Sequence, residues 1–109
     1  MKRFDEADPL YQLYLPLNYN DGRPIEEDKF SLTRKELITR FGGLTTTPPG
    51  FPLQGWWQSA GTVVRDDIVL WTVLTQRVEN DFFNTYRELL EERFSQEEIR
   101  IVMVPAEAL

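Results

Sequence analysis

With 109 residues and a net charge of −6, the chain is long enough for one domain with a modest core. It contains neither cysteine nor histidine, which excludes disulfides, thiolate nucleophiles, cysteine or histidine metal sites and every Ser-His-Asp or Cys-His mechanism. The acidic balance disfavours a nucleic-acid backbone as partner and suits an ordinary soluble domain.

Residues 1–9 read as a polar lead-in ended by Pro9. Lys2 and Arg3 are not followed by an apolar run, so no signal peptide is expected. No apolar run reaches membrane-spanning length, and the expectation is a cytoplasmic protein without a membrane partner. Residues 10–17 then predict a strand, with Tyr11, Leu13 and Leu15 on one face and Gln12 and Tyr14 on the other. Pro16 belongs at its end, because proline cannot donate to a ladder. Residues 18–24 are dense in turn formers.

The first helix is predicted from near Glu26 to Phe41. Glu26, Glu27 and Asp28 suit the positive end of its macrodipole. Phe30, Leu37, Ile38 and Phe41 form its apolar stripe, and Gly42 is placed to stop it in the left-handed region. Leu44 to Thr47 starts a second strand, which Pro48, Pro49 and Pro52 confine to a sheet edge. Residues 53–58 resume it, and residues 59–61 form a tight hairpin loop with Gly61 left-handed.

Residues 62–75 are rich in β-branched and aromatic residues. From Ile68 to Leu74 both alternating sets are mostly apolar, which predicts a central strand covered on both faces. Arg65, Asp66 and Asp67 interrupt the pattern, as a bulge or a register change would. The second helix follows over about residues 80–94, with Phe82, Phe83, Tyr86, Leu89, Leu90 and Phe94 at helical spacing. Residues 97–104 complete the series as a strand closed by Pro105.

This order predicts an α+β fold of the ferredoxin-like βαββαβ kind. One domain would span residues 1–109, with a four-stranded antiparallel sheet and two helices on one face. The first and third strands would be central. The second sheet face then lacks cover from its own chain and presents Tyr14, Val102 and Trp71 or its neighbours. An apolar open face is usually buried in a partner, so homodimerisation through the sheet face or an edge is expected.

The candidate sites are few. Phe51, Trp56 and Trp57 lie in or beside an irregular segment containing Gly50 and Gly55. Aromatics so placed can line a pocket for an apolar small molecule or anchor an interface, and Trp71 joins them as a ligand-binding candidate. Asp66 or Asp67 beside a buried tryptophan could act as a base, with Arg65, Tyr14 or Tyr86 as positioning donor. Neither acidic group, residues 26–28 or 66–67, has the Asp-x-Asp spacing of a calcium loop. No GxGxxG, P-loop or RNA-binding aromatic motif is present. No metal and no cofactor is expected.

Four short pieces are familiar together: Arg40-Phe41-Gly42-Gly43-Leu44-Thr45, Gly55-Trp56-Trp57, Gly61-Thr62-Val63-Val64-Arg65-Asp66 and Phe94-Ser95-Gln96-Glu97-Glu98-Ile99. In order and spacing they resemble a family of small bacterial proteins of unknown function over about residues 11–104. The resemblance implies a ferredoxin-like domain and brings no catalytic residues; the proline segment at 48–52 departs from the pattern. Three readings are open. The first is a dimerising binding or accessory protein. The second is a cofactor-independent enzyme of the dimeric α/β-barrel kind, acting on an aromatic or apolar small molecule with an Asp base. The third is an acidic partner of a basic protein.

Overall fold

The computed structural model describes residues 8–109, so the lead-in expected at 1–9 lies outside the described residues except for Asp8 and Pro9. The elements are β1 (Leu10–Pro16), α1 (Glu27–Phe41), β2 (Thr45–Thr46), β3 (Leu53–Ser59), β4 (Thr62–Leu74), α2 (Asn80–Arg93) and β5 (Arg100–Val104). The sheet is antiparallel in the order β2-β4-β1-β5, with β3 also paired to β4. This is the expected α+β architecture with β1 and β4 central. The second strand comes in two pieces, so the sheet counts five strands rather than four.

β4 is the common partner. It pairs with β1 from Leu74 opposite Leu10 to Ile68 opposite Pro16. On its other edge Thr45 and Thr46 oppose Thr72 and Trp71. Thr47 continues that register: its N–H donates to Leu70 O at 3.1 Å, and its Oγ1 accepts from Leu70 N at 2.9 Å. β3 then takes over from Leu53 opposite Ile68 to Ser59 opposite Thr62. Residues 48–52 therefore stand opposite Val69 alone and loop outward, with Phe51 N–H closing a turn on Pro48 O at 3.2 Å. Three prolines make this excursion, because they have no N–H for the ladder.

The bulge expected at Arg65, Asp66 and Asp67 does not form. Pairing with β3 runs through these residues without a slip. They are polar because β1 stops at Ile68, and beyond it β3 and β4 continue as a two-stranded arm. The arm's turn is Ala60-Gly61, with φ of 49° and 80°, the double positive φ of a type I′ hairpin.

Alternation fixes the two faces. Tyr11, Leu13, Leu15, Val69, Trp71 and Val73 point to the helices and are buried. Gln12, Tyr14, Ile68, Leu70, Thr72 and Val102 point to the open face and are half-buried. Trp71 is thus a core residue under the helices, a correction to its candidacy for the open face.

α1 buries Phe30, Thr33 and Leu37, whereas Ile38, expected in the stripe, is 44% exposed. Thr33 can be buried because its hydroxyl is satisfied twice: it donates to Lys29 O at 2.7 Å and accepts from Arg93 Nη1 at 2.8 Å. Gly42 ends the helix at φ 82° with its N–H on Ile38 O at 2.7 Å. α2 turns its Leu89 outward. It ends in a Schellman arrangement, Gln96 N–H on Glu91 O at 2.9 Å and Ser95 N–H on Glu92 O at 3.2 Å, with Ser95 left-handed at φ 53°. Tyr11 stitches α2 to β1. Its hydroxyl accepts from Glu79 N–H and donates to Asn80 Oδ1, both at 2.7 Å, and its ring stacks on Phe83 at 4.0 Å.

An ionic bridge crosses between the helices. Arg93 donates to both oxygens of Glu36, at 2.6 and 3.0 Å, and the Tyr86 hydroxyl donates to Glu36 Oε1 at 2.9 Å. These bonds hold the Glu36 carboxyl below its ordinary value of 4.5, Arg93 foremost. Burial, reinforced by the carboxylate, raises the Tyr86 phenol. A bridge of this kind is worth about 1–2 kcal/mol net, against about 1.5–3 kcal/mol for each fully buried Leu or Phe. It orients the helices more than it holds them down.

The packing makes two predictions. Because the Glu36 pKa is depressed on folding, its contribution is complete above pH 4.5 and is lost as pH falls through the folded value. In urea unfolding, Glu36→Gln should cost about 1–2 kcal/mol at pH 7, and the cost should shrink as the pH falls below 4.5 and through the depressed folded value. Ala60→Asn, placing a residue that tolerates positive φ at the first turn position, should stabilise the protein by about 0.5–1 kcal/mol in the same assay.

Candidate functional site

Where β1 and β2 leave β4, a cleft of about 390 Å³ opens between α1 and the sheet. β4 supplies the floor with Val69 and Trp71, and Asp67 stands at its outer end. The first half of α1 supplies the roof with Glu27, Phe30 and Arg34, whose spacing of three and four places them on one helix face. Leu17, Asn18, Pro24 and Ile25 form one wall; Thr46, Thr47, Pro49 and Pro52 form the other.

The first wall is a small closed loop. Tyr19 N–H donates to Arg23 O at 2.8 Å, Gly22 N–H to Tyr19 O at 2.9 Å, and Ile25 N–H to Leu17 O at 2.9 Å. Gly22 has φ 90°, which the turn requires. The Tyr19 hydroxyl donates to Glu26 and accepts from Lys29 Nζ, at 2.7 Å, which ties the loop to the start of α1. The Tyr19 bond also holds the Glu26 carboxyl below its ordinary value. Leu17 N–H donates to Asp67 O at 3.0 Å and fixes the wall to β4. The cleft is therefore preformed on this side.

Its charged groups are loosely paired. Arg34 lies with its guanidinium carbon 5.5 Å from the Trp71 ring centroid and its Nη2 3.6 Å from Glu27 Oε1. Asp67 Oδ1 is 3.8 Å from Arg65 Nε. Both ion-pair distances exceed the 2.7–3.2 Å typical of a hydrogen bond. Phe30 leans on Trp71 with centroids 6.2 Å apart. Among the described residues no group of three or more Asp or Glu could hold a metal ion. Among the same residues no helix is long and apolar enough to cross a membrane. A second hollow of about 200 Å³, lined by Tyr11, Asn80, Phe83 and Arg87 among others, lies between α2 and β5.

The residues singled out in the sequence separate. Asp67 and Trp71 meet in the cleft, and Arg65 stands beside it as the ion partner of Asp67. Asp66 lies opposite Gly55 with its side chain on the other face of β4. Trp56 is paired with Arg65 and Trp57 with Val64, so the two rings take opposite faces of the arm. They are 62% and 46% exposed, and Phe51, at the tip of the proline excursion, is 82% exposed. Trp57 lies across Gly55: a Cβ there would stand 2.9 Å from the ring, which is why glycine occupies the position. Tyr14 lies on the open face, 3.5 Å from Gln12 Oε1, and Tyr86 is engaged by Glu36. Sequence reasoning missed Glu27, Phe30 and Arg34 as a set. Their signal was the common helix face; the acidic residues had a sufficient explanation in the macrodipole.

No protein-family model and no curated protein matches the chain. Solved structures do. A phage SAM lyase in complex with S-methyl-5'-thioadenosine superposes with a TM-score of 0.64 at 17% identity, over 96% of this chain and 86% of that one. The divalent cation tolerance protein of Thermus thermophilus gives 0.63 at 17% identity, over 93% and 85%. CutA1 of Oryza sativa gives 0.61 at 10% identity, over 98% and 86%. At these identities the likeness is one of fold, and the chain shares the ferredoxin-like α+β architecture of these proteins across nearly its whole described length.

Proposed function

We propose that the protein is a cytoplasmic bacterial binding or accessory protein that works as a homodimer and holds a small molecule in the cleft over Trp71. The observation that carries the ligand reading is the cleft itself. It has an aromatic and aliphatic floor, prolines in its walls and a few polar groups converging on it, which is the usual make-up of a small-molecule site. Its position, where neighbouring chains diverge from a central strand, leaves room without opening the core. The lyase of similar fold, in complex with S-methyl-5'-thioadenosine, supports a ligand of that size. Asp67 at the end of the floor favours a second reading, in which the same cleft belongs to a cofactor-independent enzyme with Asp67 as base.

Self-association is supported by the open sheet face. Leu10, Tyr14, Ile68, Leu70 and Val102 are apolar or aromatic residues on a face that no helix covers, with Gln12 and Thr72 among them. Beyond Asp66 the same face carries Val64 and Trp57 on the arm, with Leu53 opposite Ile68. Leu53 and Trp57 are 41% and 46% exposed. An uncovered sheet face with this many apolar side chains usually marks an interface.

Each half of the reading has its test. In a Trp56→Phe, Trp57→Phe background, Trp71 is the remaining tryptophan. Adding S-methyl-5'-thioadenosine should change its fluorescence saturably below about 1 mM. Thr46→Phe, which fills the cleft from its edge, should abolish the change; a titration that Thr46→Phe leaves intact overturns the cleft as the site. Conversion of the ligand that vanishes in Asp67→Asn would instead establish the enzyme reading. In sedimentation at micromolar concentration the protein should run as a dimer. Leu70→Glu on the open face should run as a monomer with an unchanged circular dichroism spectrum. A wild-type monomer rules the dimer out.

A further inference from the structure

The cleft already holds a cation. The Arg34 guanidinium lies over the Trp71 ring, 5.5 Å from its centroid, and 3.6 Å from the Glu27 carboxylate. An aromatic face with a carboxylate beside it is the usual receptor for a ligand cation. Here the protein's own side chain occupies it. Arg34 is weakly held there. Its side chain is 42% exposed and its ion pair is too long for a hydrogen bond. An arginine stem reaches solvent easily.

The remaining charge in the cleft points the same way. Glu27 in the roof and Asp67 at the end of the floor both line it, and among the described lining residues Arg34 is the one cation. Asp67 has its counter-ion, Arg65, 3.8 Å away and half-exposed on the arm. Neither carboxylate spends its acceptor capacity on these partners. When Arg34 swings out, the part of the otherwise buried Trp71 ring that lies beneath its guanidinium is uncovered, with Glu27 beside it and Asp67 at the end of the floor.

Resting on the reading of the cleft as a ligand site, we propose that Arg34 is a placeholder, and that the cleft selects an aromatic monocation: a planar ring bearing one amine-type or sulfonium head. The ring packs against Pro49, Pro52 and Val69, and the head takes the position of the Arg34 guanidinium over Trp71. The opposite assignment, Arg34 as the anchor for a ligand anion, makes the reverse prediction for its removal.

The test uses three ligands with one indole ring and different heads: tryptamine (cation), tryptophol (neutral) and indole-3-acetate (anion), titrated by calorimetry into the whole chain. Tryptamine should bind at least tenfold more tightly than tryptophol, and indole-3-acetate most weakly. Arg34→Ala should strengthen tryptamine binding several-fold, since the competing cation is gone. Glu27→Gln should reduce the preference for tryptamine over tryptophol, and Asp67→Asn, farther along the floor, should reduce it less. Tightest binding of indole-3-acetate, lost in Arg34→Ala, overturns the placeholder and makes Arg34 an anion anchor. Equal binding of all three, blocked by Thr46→Phe, overturns charge selection and leaves the cleft as the ligand site. Failure of all three together with failure of S-methyl-5'-thioadenosine removes both.

Discussion

The structure depends on where β4 loses its neighbours. Along its inner half the strand is flanked on both edges, by β1 and by β2 with its extension at Thr47. At Ile68 the β1 edge ends, because Pro16 closes that strand and the chain turns away after Leu17 donates to Asp67 O. On the other edge β2 gives way to β3 at almost the same point, across the excursion of residues 48–52 opposite Val69. Two departing chains leave a gap on either side of a strand that continues. Their departing segments are the two walls of the cleft, and α1 roofs the space between them. The cleft is a consequence of β-ladder termination, and prolines on both edges determine its place.

The unbroken register of β4 then settles which side chains can reach the cleft. Side chains alternate with a period of two, so Asp67 shares the face of Val69 and Trp71 while Asp66 does not. The same parity sends Trp57 to the open face and Trp56 to the opposite one. A slip of one residue at Arg65 would exchange these assignments. What prevents it is the hairpin: the type I′ turn at Ala60-Gly61 fixes Ser59 opposite Thr62, and pairing proceeds inward from there.

Much of the architecture was legible in the residues. Two apolar alternating sets marked β4 as central, and three prolines marked its neighbour as an edge. The stop at Gly42 and the end of α2 at Ser95 and Gln96 were also readable. The charged triplet at 65–67 was not, since a polar interruption looks the same whether a strand bulges or simply outruns its flanking strand. The site was half legible. Asp67 and Trp71 could be named, but Phe51, Trp56 and Trp57 drew attention by size and lie on the arm and the excursion. Thr33 and Ile38 show why the α1 surface was misjudged. Periodicity assigns burial by polarity, whereas Thr33 is buried through bonds to Lys29 and Arg93 that only the packed helices supply. Glu27 and Arg34 escaped for the converse reason: a charged residue on a helix needs no further explanation until something is seen beneath it.

Whether a half-solvated cleft can discriminate by charge is a matter of magnitude. A tenfold preference requires about 1.4 kcal/mol. Two unit charges 4 Å apart interact by about 1 kcal/mol in bulk water and about 4 kcal/mol in the environment typical of a protein surface. A cation over an aromatic face adds about 0.5–2 kcal/mol, more as water is excluded. The Asp67 side chain is 31% exposed and that of Glu27 73% exposed, so Asp67 operates nearer the protein limit and Glu27 nearer the aqueous one. Glu27 stands beside the cation position, 3.6 Å from Arg34 Nη2, whereas Asp67 lies four residues along β4 from Trp71, about 13 Å away at ~3.3 Å per residue. Discrimination of the required size is within reach of Trp71 and Glu27, with Asp67 as a longer-range contributor. The selectivity of the cleft therefore rests on the Trp71 ring and the Glu27 carboxylate beside it, and the aspartate that strand parity turns into the cleft adds to it from the far end of the floor.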